Sequence, residues 1–426
     1  VSVLLGCIAD DFTGATDIAS VLKREGMRVL QINGNPAEQG VVPQNVDAVV
    51  IALKSRTQPV NSAVSDSLAA CNWLLEQGVL QVFFKYCSTF DSTKEGNIGP
   101  VIDALLTRLK TDQTIVCPSY PINGRTLYAS NLFVHGVPLA ESAMKDHPLT
   151  PMTDSNLIRL LEGQTKHFIK PISWQQVQSG VTALAKEFES LKTGIYVVDA
   201  LVDEDLVTIA HAAKDMTLLT GGAALAQGLP SLYRKLKWMK AQPETDGLKF
   251  SQGHTLILAG SCSTATRSQI EYFLASYSGI AIDAIALSHG GEELQRLESF
   301  IQNNAGADPI LVYASDAPEN IAKVQAELGV EVAGKLVEDC MAQLAIKSVS
   351  EYGVNNIIVA GGETSGAVVS ALGTPALVIG DEIEPGVPWT FLEGEKNIAL
   401  ALKSGNFGSQ AFFVNAFDMT CKGGVK

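Results

Sequence analysis

Short apolar runs alternate with amphipathic stretches along most of this chain. The run Val3 to Ala9 ends abruptly in two adjacent carboxylates, Asp10 and Asp11, followed by Gly14 and a helical pattern carried by Ala15, Ile18, Ala19, Val21 and Leu22. A buried strand feeding an amphipathic helix has this profile. The same reading predicts strands at 28–32, 47–53, 81–84 and 114–117, with helices at 62–77 and 98–109. Asn123-Gly124 is a hairpin signal, and 125–138 supplies either its arms or a lid. Proline punctuation makes 137–151 a loop. Alternation then resumes with a helix at 155–161, a strand at 167–172, a helix at 174–191, a strand at 195–198 ending in Asp199, and a helix at 204–213. Thr220 to Ala226 reads as a turn opening into a helix, or equally as a tight packing turn.

The charged segment 235–253, with Pro243 and Gly247, is the best domain boundary. Beyond it, strands are predicted at 255–259, 280–285, 309–313 and 356–360. Helices are predicted at 264–277, 292–302, 318–328 and 332–350, and another opens after Gly361. The tail reads as strands at 375–379, 389–391 and 398–402 with a glycine turn at 403–408. Strand–helix alternation of this kind gives an α/β fold of two domains, 1–245 and 246–426, each on a mainly parallel sheet with flanking helices. Ligands of such sheets sit beyond the carboxyl ends of the strands. A ligand cleft between the two domains is expected.

Composition narrows the function classes. Of 426 residues, 46% are hydrophobic and 18% charged, the balance of a soluble globular protein rather than a disordered one. No apolar run reaches bilayer length, and Val3 to Ala9 has no basic residues before it and runs into acids, unlike a secretory signal. Seven cysteines, odd in number and without CxxC spacing, point to reduced thiols in the cytoplasm and away from a zinc site. Six histidines show no metal-binding spacing. A net charge of −14 speaks against nucleic acid and anionic membranes as partners. An anionic ligand would then need its field reversed locally by Lys, Arg or helix N-termini.

Three successive strand ends carry candidate binding groups of both signs: Asp10 and Asp11; Lys54 and Arg56; and Lys85 with Ser88, Thr89, Asp91 and Ser92. Arg can grip a carboxylate bidentately while Ser, Thr and Asp bond hydroxyls, so the set suits a small polyhydroxylated anion. Taken singly, each residue has a plainer role: one Asp suffices to cap the following helix, and the others fit a solvated rim. In the second half, Gly260-Ser261-Cys262-Ser263-Thr264 and Gly361-Gly362-Glu363-Thr364-Ser365-Gly366 each join a strand to a helix. Glycine there allows close backbone approach to a phosphate, and the helix N-terminus offers unpaired N–H groups. Neither is a Walker A loop or a GxGxxG fingerprint, and close helix–strand packing would also explain each alone. Together they imply a nucleotide domain facing a substrate domain.

The stretches IADDFTGATDIA at 8–19, KSRT at 54–57, KYCSTFDSTKEGNIGP at 85–100 and GGETSGAVV at 361–369 resemble the four-carbon acid sugar kinase family, within it the 3-oxo-tetronate 4-kinases. The resemblance spans essentially the whole chain. It implies a cytoplasmic enzyme that uses ATP to phosphorylate the terminal hydroxyl of a tetronate or its 3-oxo form, with the sugar acid in the N-terminal domain and ATP in the C-terminal one. It places substrate contacts on Asp11, Arg56 and 88–92, and ATP contacts on Ser261 to Ser263, Gly361 to Thr364 and Gly405. On this reading Arg56, aided by Lys54 or Lys85, holds the acid's carboxylate, and Asp11 first or Asp91 second deprotonates O4. Mg²⁺ joins the phosphates, with Glu363, Asp10 or Asp199 within its reach and its ligands unassigned. D-threonate or D-erythronate as substrate remains open, and a homodimer is compatible with the pattern. So do two rivals: a non-catalytic nucleotide or sugar-acid sensor, and an NAD(P) dehydrogenase, against which the missing GxGxxG counts.

Overall fold

The computed structural model describes residues 3–40, 45–147, 149–239, 250–251, 253–314, 323–324, 326–373, 375–392 and 398–422. The chain divides into two compact units, 1–245 and 246–426.

In the first unit the apolar runs become strands β1 (Leu5–Ala9), β2 (Val29–Asn33), β3 (Ala48–Ala52), β4 (Gln81–Lys85) and β5 (Gln113–Cys117). A small antiparallel sheet follows, built of β6 (Arg125–Tyr128), β7 (Asn131–Val134) and β8 (Val137–Pro138). The main sheet is completed by β9 (Ile169–Ile172), β10 (Gly194–Val198) and β11 (Leu218–Gly221). Its order is β2-β3-β1-β4-β11-β5-β10-β9, with every pair parallel. Burial on both faces explains why these strands, the partly exposed edge strand β9 excepted, read as largely apolar runs rather than as alternating ones. The chain leaves β1 toward β2 and β3 on one side and returns to β4 on the other. That places the topological switch at the carboxyl ends of β3, β1 and β4.

The second unit contains β12 (His254–Ala259), β13 (Gly279–Ala281), β14 (Ile310–Tyr313), β15 (Val354–Ala360), β16 (Ala376–Glu384), β17 (Val387–Leu392) and β18 (Ala399–Lys403). The order is β13-β14-β12-β15-β18-β17-β16, parallel except where β17 runs antiparallel to β18 and β16. Trp389, Phe273, Phe412 and Phe413 fill its core. The last two come from a closing helix, Phe412–Lys422, whose Ala416 carbonyl accepts the indole N–H of Trp389 at 3.3 Å.

Several expectations change. The helix expected over 174–191 is two, Trp174–Gln178 and Val181–Leu191, because Gly180 adopts φ +88°. The strand expected at 280–285 stops at Ala281, where Asp283 caps a new helix, Ala284–His289, by accepting from the amides of Ile285 and Ala286. β11 and the closing helix were not anticipated. Thr220 and Gly221 end that strand, and 223–227 forms a 3₁₀ turn, so the tight-turn alternative describes the segment better than a helix. Most of the predicted boundary segment and of the helix at 318–328 lies outside the described residues.

The hairpin differs most. Asn123-Gly124 closes only a short loop between Tyr120 and Arg125, whereas the β6–β7 turn falls on Ala129-Ser130, both at positive φ. Neither residue favours that backbone. The cause is tertiary: the buried Asp199 carboxylate, at the end of β10, accepts from the amides of Ala129 (2.8 Å), Ser130 (2.9 Å) and Trp174 (3.2 Å). Asp199 is thus a structural acceptor, committed to three backbone amides, in place of the role near Mg²⁺ considered for it. Asp199→Ala strands three amides and is expected to lower stability by about 3 kcal/mol, with Asp199→Asn losing less because one oxygen remains. Urea unfolding of the two variants measures this, and equal stability of Asp199→Ala and the parent would refute it.

Candidate active site

The parallel register of the first sheet brings the predicted groups together. Ala9 lies opposite Ala52 of β3 and Lys85 of β4, so the residues just beyond β1 and β3 meet at one edge. The Arg56 amide donates to the Asp10 carbonyl at 3.2 Å, which carries the pairing past the strand ends. Arg56 then stands at the centre of the cluster. Its Nε and Nη2 grip Asp10 at 2.9 Å each, Nη2 also reaches Asp11 at 3.0 Å, and Nη1 faces Asp91 at 3.5 Å.

Asp11 is the N-cap of the Phe12–Arg24 helix and accepts from the Gly14 amide at 2.8 Å and the Thr13 hydroxyl at 3.1 Å. The capping role, which was the plainer expectation, therefore falls to Asp11, while Asp10 is the partner of Arg56. Burial pushes Asp10 above the usual carboxylate range, against the pull of Arg56. Burial acts on Asp11 in the same sense, but Arg56, Lys85 and the two capping donors outweigh it and hold Asp11 below that range. A Cβ on Gly14 would come within 2.1 Å of the Lys85 ammonium and 2.3 Å of Asp11, so the close approach of these groups requires glycine there.

Beyond β4 the chain bends sharply. Phe90 and Asp91 both have positive φ, 67° and 48°, an arrangement that costs about 1–3 kcal/mol per residue. The completely buried Phe90 ring packs edge-on against Tyr86, and the Thr89 hydroxyl donates to Asp91 at 2.7 Å. These contacts hold the Asp91 carboxylate toward Arg56. Ser88 and Ser92 are buried on the same loop, where Ser92 accepts from the Gln164 amide at 3.0 Å. Asp10, Arg56, Asp91 and Ser92 share a small pocket with Asn97 and the apolar Phe84 and Val101.

Lys54 departs from expectation. It is exposed, with its ammonium 5.6 Å from the Phe12 ring centroid, and makes no contact with the carboxylates. Arg56 also departs, because Asp10 occupies its bidentate edge and leaves mainly Nη1 for a ligand. Asn97 was overlooked. Its side-chain amide donates to the carbonyls of Ser55, Arg56 and Gln58 at 2.8–3.3 Å and fixes the loop that carries Arg56. Its place at the start of the Ile98–Leu109 helix, inside an already conspicuous stretch, was the available signal.

In the second unit the neighbouring parallel strands β12, β15 and β18 end in three turns that touch. A Cβ on Gly260 would lie 2.2 Å from the Thr364 hydroxyl, and one on Gly405 would lie 2.3 Å from the Ser261 hydroxyl. Gly361 sits 3.2 Å from the Ser261 amide by the same measure and precedes the Gly362–Ala371 helix without a side-chain cap. Ser263 caps the Thr264–Leu274 helix through the Thr266 amide, and its hydroxyl donates to the Gly405 carbonyl at 2.6 Å. Two helix N-termini, three hydroxyls and a close backbone form a site suited to phosphate. Gly362 and Glu363 are exposed at its rim.

The first unit matches a family model described as "Sugar-binding N-terminal domain" over residues 5–229, and the second a "Nucleotide-binding C-terminal domain" over 256–413. A 3-oxo-tetronate kinase of Pseudomonas savastanoi pv. phaseolicola is 46% identical across 97% of this chain and 96% of its own. The chain belongs to the 3-oxo-tetronate kinase family. The Haemophilus influenzae member is 42% identical over 98% of this chain and all of its own. Among solved structures, a Salmonella typhimurium LT2 protein superposes with a TM-score of 0.85 at 40% identity, covering 97% of this chain and 98% of its own. A Haemophilus influenzae protein superposes at 0.76 and 41%, covering 97% and 100%. Among the described residues, no helix is long and apolar enough to cross a membrane, and no group of three or more His, Cys, Asp or Glu is placed to hold a metal.

Removing Arg56 while leaving its carboxylates buried is strongly unfavourable. Arg56→Met is expected to destabilise the protein by about 3–5 kcal/mol, and adding Asp10→Asn to restore part of that loss. Denaturant unfolding of the two single variants and the double variant tests the coupling; strictly additive effects would show that the pair is not coupled.

Proposed function

We propose that this member of the 3-oxo-tetronate kinase family transfers the terminal phosphoryl group of ATP to the C4 hydroxyl of 3-oxo-tetronate. The observation that carries the reading is the chemical complementarity of the two clusters. One unit presents oriented carboxylates that accept from hydroxyls, and the other presents amides and hydroxyls that donate to phosphate. A nucleotide-binding model matches the second unit, and the full-length relatives bear the kinase name.

In the first unit Asp10, Asp11 and Asp91 would accept from the substrate's hydroxyls, while Lys85 and Nη1 of Arg56 face its carboxylate. Ser88, Thr89 and Ser92 line the same strand end. Asp11 is the base of this scheme because its side chain, 21% exposed, is more open than those of Asp10 at 6% and Asp91 at 7%. Its depressed pKa keeps it ionised at neutral pH. A loose phosphoryl-transfer transition state asks mainly for alignment and charge neutralisation, so a weak base suffices.

In the second unit Ser261, Ser263, Gly361 to Thr364 and Gly405 would hold the phosphates. Mg²⁺ fits the exposed Glu363 carboxylate at this rim, since it commonly binds through one or two carboxylates plus phosphate oxygens and retained waters. Bound there, it supplies neutralisation of phosphate charge. Seven free cysteines suit a reducing compartment, and we place the enzyme in the cytoplasm.

A panel of four-carbon sugar acids offered with Mg-ATP, with ADP release measured and the phosphorylated carbon read by NMR, tests the reading. The expected result is preferential 4-phosphorylation of 3-oxo-tetronate over threonate and erythronate; binding without turnover would instead indicate a sensor. Asp11→Asn is expected to lower kcat by about 10²–10⁴ with ADP affinity unchanged. Near-normal turnover of that variant would overturn the assignment of the base.

A further inference from the structure

Lys403, the last residue of β18, has a side chain with no solvent exposure at all. Its ammonium donates to the Thr266 hydroxyl at 3.2 Å and to the carbonyls of Ser404 and Gly405 at 2.9 Å each. Three donors meet three acceptors, so the local geometry is built for the charged form. No carboxylate is among those contacts. The charged group that bears on it among the described residues is Glu384 of β16, which is itself bonded to the Ser409 amide and hydroxyl and to the Asn415 side chain. Thr266, Ser404 and Gly405 do not titrate, and the titratable groups on the other two turns, Cys262 and Glu363, are exposed.

A buried ammonium without a contacting anion is costly, and here burial pushes Lys403 down to about 7. The contacts favour the cation while the surroundings disfavour it, and a nearby anion would reconcile the two. The Gly405 carbonyl that accepts from Lys403 also accepts from Ser263 and Thr266. Gly405 in turn abuts Ser261. An anion seated on these serines lies one shared acceptor away from the ammonium.

We infer that Lys403 is a positioning residue of the nucleotide site: its cation fixes the Ser404-Gly405 turn and is itself stabilised by the phosphate charge of the bound nucleotide. This rests on the kinase reading above. Nucleotide binding then draws a proton onto Lys403, and the apparent affinity falls as pH rises above 7, because the free protein increasingly holds the neutral amine.

The test is calorimetric titration of the intact protein with ADP at pH 8 in buffers of different ionisation enthalpy, together with ADP affinity measured between pH 7.5 and 8.5. With the free lysine titrating near 7, the expected uptake is about 0.9 proton per ADP, and affinity weakens about eightfold across that interval. Lys403→Arg keeps its charge throughout and is expected to bind with no uptake and a flat profile. Lys403→Met is expected to bind weakly at every pH. ADP binding by the parent without proton uptake would overturn this inference alone, whereas no ADP binding at all would overturn the kinase reading and this inference with it.

Discussion

The guanidinium of Arg56, gripped on one edge by Asp10 and touched by Asp11 and Asp91, sets the geometry of the N-terminal unit. Each of these groups would be expensive to bury by itself. Together they are mutually satisfied, and the cost of parting them fixes three loops at once: the one after β1, the one after β3 and the bend after β4. The strained Phe90-Asp91 backbone persists because this network and the buried Phe90 ring over-determine it. A charge cluster here acts as a positioning device, with specific geometry as its product rather than net stability.

The C-terminal unit reaches a comparable result with different chemistry. The carbonyl of Gly405 collects donors from Ser263, Thr266 and Lys403, so a single acceptor ties the turn after β18 to the helix that follows β12. The third turn joins by close approach, Gly260 against Thr364. Amides and hydroxyls predominate at the strand ends of this unit, and carboxylates at those of the N-terminal unit. Both sites lie at strand ends flanking a reversal in strand order, where the helices diverge and leave room for a ligand.

The chain is acidic overall, at net charge −14, and its positive groups at the strand ends are local exceptions to that balance. In the first unit Arg56 and Lys85 stand among three carboxylates and offset their charge, and in the second unit helix N-termini and the buried Lys403 lie at the ends of neighbouring strands.

Much of this was legible along the chain. Buried parallel strands leave continuous apolar runs, so β1 to β5, β12, β14, β15 and β18 were found within a residue or two, and the candidate residues just beyond them do come together at the strand ends. Local sequence does not encode what a distant group supplies. The Ala129-Ser130 turn carries no glycine because Asp199 stabilises it from another strand. The division of labour between Asp10 and Asp11 depends on Arg56, which lies 46 residues on from Asp10. Nothing in the sequence around Lys403 sets it apart from any lysine before a glycine turn, and the packing of the sheet is what removes it from water. The one-dimensional pattern determined the elements and the residue types at their ends, because burial and periodicity are local; which charges pair, and which are left without a partner, was decided only when the parallel register brought those ends together.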